Sequence, residues 1–138
     1  MDTDRFIKRV SELSGLDRDH AAMTTRATLV TRATLVTLGT RISPGEADDL
    51  AAQLPGPLAA CLPHEGEAER FHPGEFKRRV ARVVPLANDQ APGAIRAVFA
   101  VLNEAVSEGE LHQVLGQLGG EYESLVGLPT GPHAQAQT

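Results

Sequence analysis

The sequence is poor in aromatic residues, with no Trp, one Tyr and four Phe in 138 positions. An aromatic cage or a base-stacking platform is therefore not expected. A single cysteine, Cys61, excludes an intrachain disulfide framework and a cysteine-rich zinc site. No apolar run approaches the roughly 18 residues that span a bilayer. Period-two alternation persists nowhere, so strands are not expected. A net charge of −5 argues against a general binder of nucleic acid or anionic membrane, and leaves room only for local basic patches. The first residues, Met1-Asp2-Thr3-Asp4, are acidic and polar and carry no secretory or transit features. A cytoplasmic location is the expectation. What remains is 41% apolar and 22% charged, enough for one domain with a buried core.

Helix signals are frequent and well punctuated. The first helix is expected over Thr3–Ser14, with Phe6, Ile7, Val10 and Leu13 on one face and Gly15 just past its end. The second carries Leu29, Val30, Leu35, Leu38 and Ile42. Nothing breaks the run from Arg18 to Arg41 until Gly39, which predicts a helix of ~24 residues and ~36 Å. Ser43-Pro44-Gly45-Glu46 then reads as a capping box with Pro at the first helical position. That third helix should end near Leu54, because Pro55-Gly56-Pro57 cannot continue it. A short turn over Leu58–Leu62 follows. Residues 63–72 read as an acidic linker. Pro73 opens a fourth helix bearing Phe76, Val80, Val83 and Val84. A fifth carries Ile95, Val98, Phe99, Leu102 and Val106. Ser107-Glu108-Gly109-Glu110 is a second capping box, opening a sixth with Leu111, Val114, Leu115 and Leu118. Residues 128–138 read as a disordered tail.

The two halves resemble each other. Phe6–Val10 matches Phe76–Val80 at a spacing of 70 residues, whereas Ile42–Glu46 matches Val106–Glu110, and Gln53-Leu54 matches Gln117-Leu118, at 64. The difference of six has a visible cause. Arg26-Ala27-Thr28-Leu29-Val30-Thr31 is followed at once by an identical hexamer, Arg32 to Thr37. In a helix, six residues leave the two copies about 120° apart and about 9 Å displaced along the axis. Identical residues in the two copies therefore point in different directions. Aligned at 64, Phe99, Leu102 and Val106 become Leu35, Leu38 and Ile42, so the second copy is expected to keep the core register. The expected architecture is all-α, a bundle of two tandem three-helix repeats: repeat one over 3–62, repeat two over 73–127.

The run Arg32 to Ser43, followed by Gly45-Glu46-Ala47-Asp48-Asp49-Leu50-Ala51-Ala52-Gln53-Leu54-Pro55, resembles the bacterial domain-of-unknown-function family 2267. Phe76–Val80 and Arg96-Ala97-Val98 fit the same pattern, and the resemblance covers roughly residues 4–127. It implies a helical fold and brings no activity or catalytic residues. Two features depart from the family pattern: the extra hexamer, and Gly119-Gly120 in place of a proline.

No residue constellation names a chemistry. Phosphate-loop, dinucleotide-binding and nucleophile-elbow motifs are absent. His64 to His72 is a local cluster of metal-ligand types but sits in the linker, and no pair of His stands at i, i+4. No metal or cofactor is expected. Cys61, among apolar neighbours, reads as a small hydrophobe. Asp48 and Asp49 are adjacent, so a helix points them about 100° apart, as a surface pattern. Lys8 and Arg9 recur as Arg78 and Arg79, with Arg82 nearby, as two basic stripes.

The favoured expectation is a non-enzymatic interaction or regulatory module of unknown protein partner, docking along Leu29 and Val30. Self-association through the lengthened helix is possible in the same place. Nucleic-acid binding through the stripes and small-ligand or enzymatic use of a pocket are the alternatives.

Overall fold

A computed structural model describes residues 1–15, 20–63, 65–87 and 89–130. The described residues form eight α-helices and one 3-10 turn, with no strand: α1 (Thr3–Ser14), α2 (His20–Arg41), α3 (Pro44–Ala51), α4 (Gly56–Ala59), α5 (Pro73–Val83), α6 (Ala91–Ala105), α7 (Glu108–Leu118), the 3-10 turn Gly120–Tyr122, and α8 (Glu123–Val126). The protein is all-α. No helix among the described residues is long and apolar enough to cross a membrane.

Local chemistry sets most of the ends. Asp2 caps α1 by accepting the Arg5 N–H at 2.8 Å, and Gly15 closes it in the left-handed region at φ 74°. Pro73 opens α5, while Pro85 ends the segment after Val84. The single turn expected over 58–62 forms slightly earlier, as α4. Leu13 is 43% exposed, and Ser11 takes a buried place beside Phe6, Ile7 and Val10 instead.

Helix α2 runs unbroken through both hexamer copies, 22 residues against 15 for α6. It packs on α1, α5, α6 and α3, so apolar residues are needed on several of its sides. The copies differ where the 120° rotation matters most. Leu29 is half-buried and Val30 fully buried in the first, whereas Leu35 is buried and Val36 is 45% exposed in the second. Ala27 and Ala33, and likewise Thr31 and Thr37, are buried in both copies because the helix is surrounded. Leu35, Leu38 and Ile42 lie in the core. Thr37 and Thr40 satisfy their hydroxyls by donating to the carbonyls of Ala33 and Val36 at 2.7 and 3.0 Å.

The core centres on Phe76, whose ring lies 6.3 Å from those of Phe71 and Phe99 and 6.0 Å from Tyr122. Arg41 ties this cluster to the end of α7. It donates to the carbonyls of Phe71, Gln117 and Leu118 at 3.0, 3.1 and 3.2 Å, and its guanidinium lies 5.2 Å over the Tyr122 ring. Burial pushes the Tyr122 phenol above its ordinary pKa, so it remains the donor to the Phe71 carbonyl at 2.6 Å.

The segment expected as a linker is packed rather than loose. Pro63 lies so close to Gly39 that a Cβ there would collide with its ring and backbone. The Glu69 N–H donates to the Thr40 carbonyl at 2.9 Å, and Phe71 is buried. At the other end Leu128 packs on the core, and Thr130 is buried with its N–H donating to Glu123 at 3.0 Å. These residues belong to the segment expected as a disordered tail; its remainder, 131–138, lies outside the described residues.

Candidate functional site

The α3–α7 junction arises from the two capping sequences. At each helix start the serine accepts the amide of the third helical residue: Ser43 Oγ from Glu46 and Ser107 Oγ from Glu110, both at 3.2 Å. In a full capping box the glutamate would accept the serine's own N–H in return. Here that N–H is taken from across the junction. Gln117 Oε1 accepts the Ser43 N–H at 2.7 Å, and its Nε2 donates to Ser43 Oγ at 3.1 Å. Gln53 does the same for Ser107, at 2.6 and 3.2 Å. Each glutamine thus completes the cap of the opposite helix.

The glutamates this releases meet each other. Glu46 and Glu110 are 8% and 7% exposed, and one oxygen from each, with one from exposed Asp49, lie within 4.8 Å of one another. Burial, then the hydrogen bond and charge of Glu46, then the charge of Asp49, push the Glu110 carboxyl up to about 8. At neutral pH the pair therefore retains a proton, as two facing carboxyls must in a dry setting. Asp49 is one helical turn from Glu46, which is why it joins the cluster while Asp48 does not. In the sequence Glu46 and Glu110 read only as members of capping boxes, and their pairing is not apparent. The available signal was the recurrence of Ser, Glu and Gln at one spacing of 64 in both halves.

The basic stripes are largely occupied by internal carboxylates. Arg9 donates to Glu104 at 3.0 and 2.6 Å and to Glu12 at 3.4 Å, which raises its pKa and lowers that of Glu104. Arg79 donates to Glu75 and Glu69 at 2.9 and 3.0 Å and lies 4.0 Å over the Phe71 ring. Arg78 shares Glu75 at 2.9 Å, and the two guanidinium groups, Arg79 foremost, hold Glu75 below its usual range. Lys8 and Arg82 are exposed. Helices α1 and α5 are not an extensively packed pair.

Two concavities flank α2. One, of about 380 Å³, lies between α2 and α5, with Leu29, Ala33, Val36 and Val83 as its apolar lining and Arg32 and Arg79 beside them. Val36 and Val83 are 45% and 58% exposed. Val30 is fully buried, so of the two residues expected to form a docking patch only Leu29 reaches this groove. The second copy's Val36 takes the exposed place because of the rotation between copies. The other concavity, of about 830 Å³, lies between α1, α2 and α4, with Lys8, Ser11, Thr28 and Arg32 among its lining.

Among the described residues no other group of three ligand-type side chains comes together. Half-buried Cys61 donates from Sγ to the Pro57 carbonyl at 3.5 Å, and His72 Nδ1 pairs with Glu121 at 2.9 Å. His64, the other end of the local ligand cluster, lies outside the described residues. Arg96 donates to the Ser124 carbonyl at 2.8 Å.

No curated protein matches this chain. Residues 3–125, however, match the family described as "Uncharacterized conserved protein (DUF2267)", which spans every helix but the final residue of α8. The chain belongs to the DUF2267 family of uncharacterized conserved proteins.

Proposed function

We propose that the protein is a non-enzymatic binding module, built as two tandem three-helix repeats, that holds an apolar segment carrying a carboxylate in the α2–α5 groove. The observation that carries this reading is the pairing of Val36 and Val83, exposed across a concavity of about 380 Å³ with Arg32 beside them. Exposed aliphatic side chains in a concave site favour an apolar occupant. The basic group on the lining favours an acidic one. Arg79 is already held by Glu75 and Glu69, which leaves exposed Arg32 as the residue to meet the incoming charge. The reciprocal Ser43–Gln117 and Ser107–Gln53 contacts support the repeat reading, since each half supplies the same residues to the other. Nucleic acid is a poorer occupant, because internal carboxylates engage Arg9, Arg78 and Arg79.

A short fluorescein-labelled amphipathic helix, with Leu at i and i+4 and Glu at i+3, is a suitable probe. Its anisotropy should report binding that V83D and R32E each weaken by about tenfold or more, the equivalent of about 1.4 kcal/mol. A helix with Gln in place of Glu should bind more weakly. Equal binding by wild type and both variants, or no binding to either helix, overturns the reading. So does a stable dimer in light scattering that L29K converts to monomer, since a second copy would then fill the groove.

A further inference from the structure

The α3–α7 junction lies apart from the groove and contains features that capping does not explain. Glu46 and Glu110 are each more than nine-tenths buried, and the Oε2 atom of each is buried without a hydrogen-bond partner among the described residues. Buried carboxylate oxygens in this condition are costly unless a proton donor or a cation meets them. A proton held between the two carboxyls meets part of this need, and a cation that displaces it would meet the whole. The serine amides donate to Gln117 and Gln53, and each serine Oγ accepts from a glutamine Nε2 and from the Glu46 or Glu110 amide. What converges on the two glutamates is a third carboxylate, Asp49, which is exposed and gives the site a side open to solvent.

We propose that Glu46, Asp49 and Glu110 form a binding site for a single divalent cation of the hard, oxygen-preferring class. One oxygen from each lies within 4.8 Å of the others, a spread that one ion spans when its carboxylate ligands stand at about 2.3–2.6 Å, as around calcium. An all-carboxylate donor set selects calcium, magnesium or manganese over zinc or copper. Calcium fits best, because its coordination tolerates irregular geometry and completes with water on the Asp49 side, whereas magnesium demands a near-ideal octahedron. The bound ion would join α3 to α7, adding a bridge between the two halves of the chain where the Ser–Gln exchange already holds them.

The test uses the full chain, stripped with chelator and desalted, titrated with CaCl2, MgCl2 and MnCl2 by calorimetry, with thermal unfolding as a second readout. The expected result is one calcium per chain, a rise in unfolding temperature, and weaker binding of magnesium. D49N removes a charge that repels the buried pair, so it should not lower the cation-free unfolding temperature, and it should weaken calcium binding about tenfold or more. E110Q should abolish binding; if it fails to fold, D49N still decides the matter. Heats and temperature shifts no larger than those from NaCl at equal ionic strength overturn the site, as does D49N binding calcium like the wild type.

Discussion

Glu46 and Glu110 hold the same position, third in their helices after a capping serine, and face each other across the α3–α7 junction. Each would ordinarily fold back onto its own serine. The glutamine from the opposite half takes that serine's N–H, and the freed carboxyls become a buried pair. A local capping motif is thereby converted into a contact between halves of the chain.

The pair makes stability depend on pH. Glu110 is pushed up to about 8 in the folded chain from an ordinary value of 4.5. Between those values the folded state binds more protons than the unfolded state, so stability falls as pH rises. Its contribution is fully present below about 4.5 and lost once pH has passed through about 8. With chelator present, urea midpoints should decline from pH 5.5 to 8.5, and E110Q should flatten that decline.

Gln53 and Gln117 should be coupled to the serines they complete. Q117A leaves the Ser43 N–H without its partner, and a loss of about 1–3 kcal/mol is expected in urea unfolding. Q53A should act alike at Ser107. S43A combined with Q117A should cost less than the sum of the two single changes, because they remove one shared contact.

Glycines in the helices should respond in opposite directions. In α2, a Cβ at Gly39 would collide with Pro63, including its backbone atoms, so G39A should lower the unfolding temperature despite alanine's higher helix propensity. In α7, Gly116 has open space around its added Cβ, and G116A should gain up to about 1 kcal/mol. Thermal scans of the two variants check this directly.

Arg41 should tolerate little change. It is 7% exposed, and its planar fork serves three carbonyls from two segments. R41A takes this donor from the Gln117 and Leu118 carbonyls and leaves the Phe71 carbonyl to Tyr122 alone, with an expected loss of about 2 kcal/mol. R41K keeps the charge but not the fork, and should recover only part of that loss in denaturant unfolding.

The sequence made helix starts readable wherever the signal was local. Ser43 and Ser107 cap as their spacing implies, and Pro73 opens α5. The register of Leu35, Leu38 and Ile42 was legible too, because counting from the second half needs only the helical period. What failed to show depended on residues distant in the chain. A capping box does not reveal that Gln117 will take the Ser43 N–H from 74 positions away. Arg9 read as part of a basic stripe because Glu104 is 95 positions distant. Val30 reads as part of an outer face when α2 has one buried stripe, whereas the helix is packed by four neighbours.

The most direct test of the buried pair is a carbon-detected NMR titration of the Glu46 and Glu110 carboxyls in the presence of chelator. Glu110 should titrate near 8, and replacing Glu46 with Gln should bring it down. A Glu110 carboxyl that titrates near the ordinary 4.5 and ignores the Glu46 substitution would contradict the junction described above.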